Sequence, residues 1–121
     1  MDFEKYRNYA LSKPHVTEDT PFDATTLAFR VGGKIFSLCD IEAQPFSTNL
    51  KCDPEYAIEL REQFSDAIVP GYHMNKKHWN TVYLETGLLN DALIRKLVDH
   101  SYDLIFKSLT KAQRQTLLPN E

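Results

Sequence analysis

Residues 25–40, TTLAFRVGGKIFSLCD, limit the fold of this chain more than any other stretch. Two runs rich in β-branched and aromatic residues flank the pair Gly32-Gly33. A two-residue hairpin turn of the primed type needs positive φ at its centre, a conformation glycine adopts without a steric penalty. The segment therefore predicts an antiparallel hairpin. In its first strand Leu27, Phe29 and Val31 alternate with Thr26, Ala28 and Arg30. In its second, Ile35, Ser37 and Cys39 oppose Lys34, Phe36 and Leu38, so apolar residues fall on both faces and the strand is expected to be the more central of the two.

Before the hairpin, Asp2 caps a first helix whose apolar side is Phe3, Tyr6, Ala10 and Leu11, and Pro14 stops it. Residues 15–23, HVTEDTPFD, read as a polar loop with Phe22 tucked back onto the core. After Pro45 a third strand alternates Phe46, Thr48, Leu50 and Cys52 with Ser47, Asn49 and Lys51, a second face that is polar and free of acids. Asp53-Pro54-Glu55 starts a helix with a capping carboxylate, a proline at the first helical position and an acid suited to the helix dipole. Tyr56, Ala57, Leu60 and Phe64 mark its buried side. Ile68 and Val69 fit a short fourth strand closed by Pro70-Gly71. HWNTVYLE fits a fifth, with Trp79, Thr81 and Tyr83 on one side, and Gly87 ends it. Asn90 then caps a long helix with Leu93, Ile94, Leu97, Val98, Tyr102, Ile105 and Leu109 on one stripe. Thr110 and Gln113 form a capping box for a last short helix ending near Leu118. The order α-βββ-α-ββ-α over 121 residues implies a single domain, residues 1–121, of the α+β class. It is expected to be a two-layer fold with a five-stranded antiparallel sheet and helices mainly on one face.

Several function classes find no support in the residues. There is no GxSxG elbow, no phosphate-cradling glycine loop and no HExxH, and the paired glycines are accounted for by the hairpin, so no catalytic residue and no cofactor is expected. Cys39 and Cys52 lack a CxxC spacing, and their separations from each other and from His73 match no common zinc site, so no metal is expected either. Free thiols in a cytoplasmic protein are the simplest reading. No hydrophobic run approaches the roughly 18 residues of a membrane span, and the first residues, MDFEKYRNYALSKP, carry acids rather than an apolar leader. The expectation is a protein that is neither exported nor inserted.

The net charge of −3 opposes long-range attraction to nucleic acid, which rests on clustered Lys and Arg. Any such affinity must come from a local patch. Residues 67–84, AIVPGYHMNKKHWNTVYL, contain no acid while carrying Tyr72, His73, Lys76, Lys77, His78 and Trp79. The lysines suit phosphates, and an aromatic ring beside them suits stacking on an unpaired base. Trp79 is read first as a packing anchor in the core, since a small domain commonly spends its one tryptophan that way. Lys51 is expected on the same surface as Arg30 or Lys34, where three cations would form a shallow anion site.

The segments LKCDPEYAIELREQF, PGYHMNKKHWNTVYLE and LVDHSYDLIFKSL resemble the MmcQ/YjbR family of small bacterial proteins, usually described as DNA-binding. The likeness runs nearly end to end. It implies a two-layer fold similar to that of secretion chaperones, described as a double-wing motif in the DNA-binding proposal. Positions matching the family pattern are Lys51, Asn75, Lys76, His78 and Trp79, with Thr81, Val82 and Tyr83. Of these, Asn75, Lys76 and His78 are the expected contacts. The leading expectation is weak DNA binding of low sequence specificity through Lys51, His73, Asn75, Lys76, Lys77, His78 and Trp79. The alternative is a chaperone-like adaptor that holds a protein partner on its open sheet face. A third is a small-ligand binder with a pocket between loop and sheet.

Overall fold

The computed structural model describes residues 1–117. Helix α1 (Phe3–Ser12) precedes strands β1 (Thr17–Asp19), β2 (Thr26–Val31), β3 (Lys34–Asp40) and β4 (Ser47–Lys51). Helix α2 (Pro54–Gln63), β5 (Ile68–Pro70), β6 (Trp79–Tyr83), α3 (Asp91–Ser108) and α4 (Lys111–Leu117) follow. The strands form one antiparallel sheet in the order β1-β2-β3-β4-β6-β5. This is the expected α+β architecture, with six strands in place of five.

The added strand is β1, in the stretch read as a loop. Thr17-Glu18-Asp19 has no apolar alternation to announce it. Instead it is held by charge: Arg30 Nε donates to Asp19 Oδ1 at 2.8 Å, and Arg7 Nε on α1 donates to Glu18 Oε2 at 2.8 Å. A short charged edge strand also blunts edge-to-edge pairing with other chains. Phe22, just beyond it, does not tuck onto the core; it is 69 % exposed.

Gly32 and Gly33 adopt φ of +59° and +81°, as the hairpin reading requires. Within the hairpin, Phe29 pairs with Ser37 but Arg30 pairs with Ile35, so Phe36 is an extra residue in β3. The bulge breaks the expected alternation. Phe36 turns to the helix side and packs its ring edge against Tyr102 of α3 at 5.4 Å, while Ser37 and Cys39 remain buried. Ser101 of α3 covers the backbone here, accepting from Lys51 N at 2.9 Å and donating to Phe36 O at 2.6 Å. Deeper in the layer, Tyr6 Oη and Ser37 Oγ lie 2.6 Å apart and Ser37 Oγ and Thr48 Oγ1 2.7 Å apart, so α1, β3 and β4 share one buried hydroxyl chain.

The helix starts follow the sequence. The side chains of Asp2, Asp53 and Asn90 accept the N–H groups of Lys5, Tyr56 and Leu93. Thr110 and Gln113 bond reciprocally at the start of α4, whose expected end near Leu118 lies outside the described residues. With Tyr6, Ala57, Leu60, Ile94, Leu97 and Val98 packed on the sheet, the opposite sheet face is left open. On that face lie Ala28, Arg30, Leu38, Asn49, Lys51, Trp79, Thr81 and Tyr83, by the strand registers.

Candidate functional site

The connection between β5 and β6 is a structured turn. Trp79 N and His78 N donate to Asn75 O at 2.9 and 3.2 Å, and Gly71 N donates to Trp79 O at 2.9 Å. A Cβ on Gly71 would lie 2.9 Å from both Trp79 Cβ and Trp79 O, so only glycine allows this approach. Arg61 of α2 braces the turn from below. Its Nε donates to Asn80 Oδ1 at 2.7 Å and its guanidinium also reaches the carbonyls of Lys76 and Trp79.

These bonds sort the expected site residues. Asn75 uses its Oδ1 to accept Lys77 N at 2.9 Å, shaping the turn from within. Lys76 Nζ folds back onto Gly71 O at 3.1 Å. Lys77 is exposed, and among the described residues its ammonium has no hydrogen-bond or ion-pair partner. The His78 carbonyl accepts Cys52 N at 2.8 Å, tying the turn to the end of β4. Trp79 is half-buried on the open face rather than a core anchor, because it shares its face with Thr81 and Tyr83, while Asn80 and Val82 point to the helix side. Directly across from it, as its Cα partner, stands Lys51.

The three-cation cluster expected around Lys51 does not form. Arg30 is spent on Asp19 and on Gly33 O, and Lys34 projects to the helix side, where its Nζ reaches Ser108 O at 3.3 Å at the end of α3. The bulge at Phe36 turns Lys34 to the face opposite Lys51, and Arg30, on the same face as Lys51, lies two strands away and is held by Asp19.

His73 belongs elsewhere. It has φ of +59°, and its ring tilts against Tyr72 with centroids 4.0 Å apart. Both residues line a cleft of about 510 Å³ over the open sheet face, walled on the far side by Phe22 and Asp23 and floored by Ile35, Leu38 and Asn49. Lys51, Lys76, Lys77, His78 and Trp79 do not line it. A smaller hollow of about 250 Å³ continues from it along Asp40, Ser47, Thr81 and Tyr83. Asn49 and Thr81 fix the near wall: Tyr72 N donates to Thr81 Oγ1 at 2.9 Å, Thr81 Oγ1 donates to Asn49 Oδ1 at 2.5 Å, and Asn49 Nδ2 donates to Tyr72 O at 3.3 Å. Asp23 accepts the Thr25 N–H, then contacts from Thr26 and the Thr25 hydroxyl, and these hold its carboxyl below the usual range. Phe22 and Asp40 escaped the sequence reading as site residues. The available signal was an aromatic residue standing alone in the polar run 15–23.

Neither thiol sits in a reactive setting. Burial pushes Cys39 up to about 11 and Cys52 up to about 12, and both are free. Among the described residues no three of His, Cys, Asp and Glu gather as a metal set, and no described helix is long and apolar enough to cross a membrane.

A family model described as YjbR matches residues 11–104. The chain belongs to the YjbR family. It is 38% identical to protein YbdF of Escherichia coli O157:H7 over 117 residues, covering 96% of this chain and 93% of that one. To protein YjbR of Escherichia coli K12 it is 34% identical over 119 residues, covering 98% of each. The crystal structure of Deinococcus radiodurans protein DR2400, of the domain family DUF419, superposes with a TM-score of 0.89 at 40% identity over 96% of this chain and 87% of that chain. A Pseudomonas syringae protein superposes with a TM-score of 0.72 at 27% identity, over 87% of this chain and 99% of that chain.

Proposed function

We propose that this YjbR-family protein is a non-enzymatic, cytoplasmic DNA-binding domain that docks weakly and with low sequence specificity at the Lys51–Trp79 end of its open sheet face. The observation that carries the reading is the cross-strand pairing of Lys51 with Trp79, two residues after Lys77, whose ammonium has no partner among the described residues. A lysine and a tryptophan as cross-strand neighbours on one face, with a second lysine on the adjoining turn, offer a phosphate contact and a stacking surface together. With a net charge of −3 the attraction is short-ranged and steeply salt-dependent. The longer helices α1, α2 and α3 present no row of Arg, Asn and Gln to base edges, and α4, which carries Gln113, Arg114 and Gln115, is only seven residues long, so discrimination between sequences is small.

The test is DNA binding by Lys51→Glu with Lys77→Glu, with Lys111→Glu on α4 as the control. Lys76 is spared because its ammonium supports Gly71 O within the turn. Association should vanish in the double variant while its melting curve stays that of the wild type. Each lysine replaced singly should lower the salt slope by about 0.9 for duplex and about 0.7 for single strands. A wild type that binds no DNA at low salt, or a control as weakened as the double variant, refutes the reading. The adaptor reading then takes precedence, favoured by the exposed Phe22 and Tyr72 rings at 69 % and 67 %.

A further inference from the structure

The cleft over the open face has a chemistry opposite to that of the Lys51–Trp79 end. No Lys or Arg lines it, whereas Asp23 and Asp40 do. A phosphate entering there would meet carboxylates with no compensating cation. Its floor is apolar, with Ile35 and Leu38, and its two walls each carry an aromatic ring largely out in solvent, Phe22 on one side and Tyr72 on the other. Exposing two large rings across a concavity is costly to solubility and gains nothing for the core. Aromatic faces attract cations through their quadrupole, most strongly where an ammonium is partly desolvated. A volume of about 510 Å³ also falls within the range of small-molecule sites.

We propose that this cleft binds a small organic ammonium, with its apolar body on Ile35 and Leu38, its cationic group facing Asp40, and Phe22 and Tyr72 closing on either side. The near wall is set before any ligand arrives, because the Tyr72 backbone is held at both its N–H and its carbonyl by Thr81 and Asn49. Asp40 spends one oxygen on the Glu42 N–H at 3.1 Å, and its other oxygen has no partner among the described residues. Asp23 is committed to Thr25 and Thr26 and contributes field rather than a direct contact. The site is independent of DNA binding, since none of the residues proposed for DNA lines the cleft apart from His73.

The probes are benzyltrimethylammonium and 2-phenylethylammonium, titrated into ¹⁵N-labelled protein with amide shifts followed by NMR. 3-Phenylpropionate serves as the anion of similar shape and benzyl alcohol as the neutral one. Both ammonium probes should saturate one site and move the amides of Leu38, Asn49 and His73, while the anion moves none of them. Asp40→Asn, Tyr72→Ala and Phe22→Ala should each weaken the ammonium probes by about fivefold. These side chains are exposed, so the variants should melt with the wild type, and Lys51→Glu with Lys77→Glu should bind the probes unchanged. The proposal is overturned if no ammonium probe saturates, if 3-phenylpropionate binds as tightly, or if all three cleft variants bind like the wild type. Loss of DNA binding in the lysine variant with the probes still bound would separate the two sites.

Discussion

Replacing Arg61 with alanine tests whether α2 supports the β5–β6 turn. Arg61 Nε donates to the side chain of Asn80, which is 2 % exposed, and the guanidinium also serves the carbonyls of Lys76 and Trp79. The Lys76 carbonyl lies at the exposed tip and recovers water when the arginine is removed, and the Trp79 bond is long at 3.4 Å. The main loss is therefore at Asn80, whose buried oxygen is left unsatisfied. A bond to a charged donor contributes about 1.5–3 kcal/mol and a stranded buried acceptor costs about 1–3 kcal/mol, two views of one interaction that are not summed. Destabilisation of about 2–3 kcal/mol is expected, a fall in Tm of roughly 8–12 °C for a domain of this size. Urea unfolding followed by far-UV circular dichroism and by Trp79 fluorescence measures it. In a double-mutant cycle with Asn80→Ala the coupling should be about 1–2 kcal/mol. A loss below about 0.5 kcal/mol for Arg61→Ala, or strict additivity in the cycle, would refute the account.

Two further measurements bear on the fold. A Cβ on Gly33 would meet nothing within 4 Å, so the cost of Gly33→Val, on the order of 1 kcal/mol or more, comes chiefly from the strain of positive φ on a β-branched residue; a Tm equal to wild type would contradict the hairpin geometry. Gly32→Ala adds a Cβ 2.6 Å from Leu109 Cδ1, a core residue, and should cost about 1–3 kcal/mol more than Gly33→Ala; the reverse order would contradict the packing. For the thiols, both folded pKa values, about 11 and about 12, lie above the ordinary 9.0, so the fold favours the protonated form. The stability this contributes is complete below about pH 9 and is lost as pH rises through 11 to 12. Stability should therefore fall above pH 9, less steeply in Cys39→Ala. A thiol reagent should count two groups in urea and react far more slowly with the native protein; equal rates would refute the burial of both.

Where the fold was legible in the sequence, a short-range rule sufficed. A glycine pair needing positive φ, a carboxylate or amide before a helix, and a 3.6-residue stripe each act over a few residues, and each fell where it was read. β1 was not legible because its pairing depends on Arg7 and Arg30, partners 11 residues away on other elements. The bulge at Phe36 was hidden for a similar reason. Its extra residue is stabilised by Tyr102 and Ser101, which become neighbours only when α3 docks. Apolar residues stand on both faces of β3 even with the bulge, Phe36 and Cys39 toward the helices and Ile35 and Leu38 on the floor of the open-face cleft.

The candidate site shows the same limit more sharply. Freedom from acids along residues 67–84 is a property of one dimension, and the sheet adds a second. Crossing the strands from Tyr72 through Asn49 and Leu38 leads to Asp40 and Asp23, contributed by segments with no such bias. Crossing them from Trp79 leads to Lys51, which joins the cations of the turn tip. One turn thus divides two surfaces of opposite sign, its Tyr72-His73 limb facing carboxylates and its Lys77-Trp79 limb adjoining another lysine. Polar residues in a short turn also have backbone groups to satisfy first. Asn75 and Lys76, prominent as exposed polar residues in the sequence, are drawn inward to Lys77 N and Gly71 O. What remains for a partner is decided by which side chains the turn does not consume for itself, and that selection leaves Lys77 and Lys51 at one end and Tyr72 and Asp40 at the other.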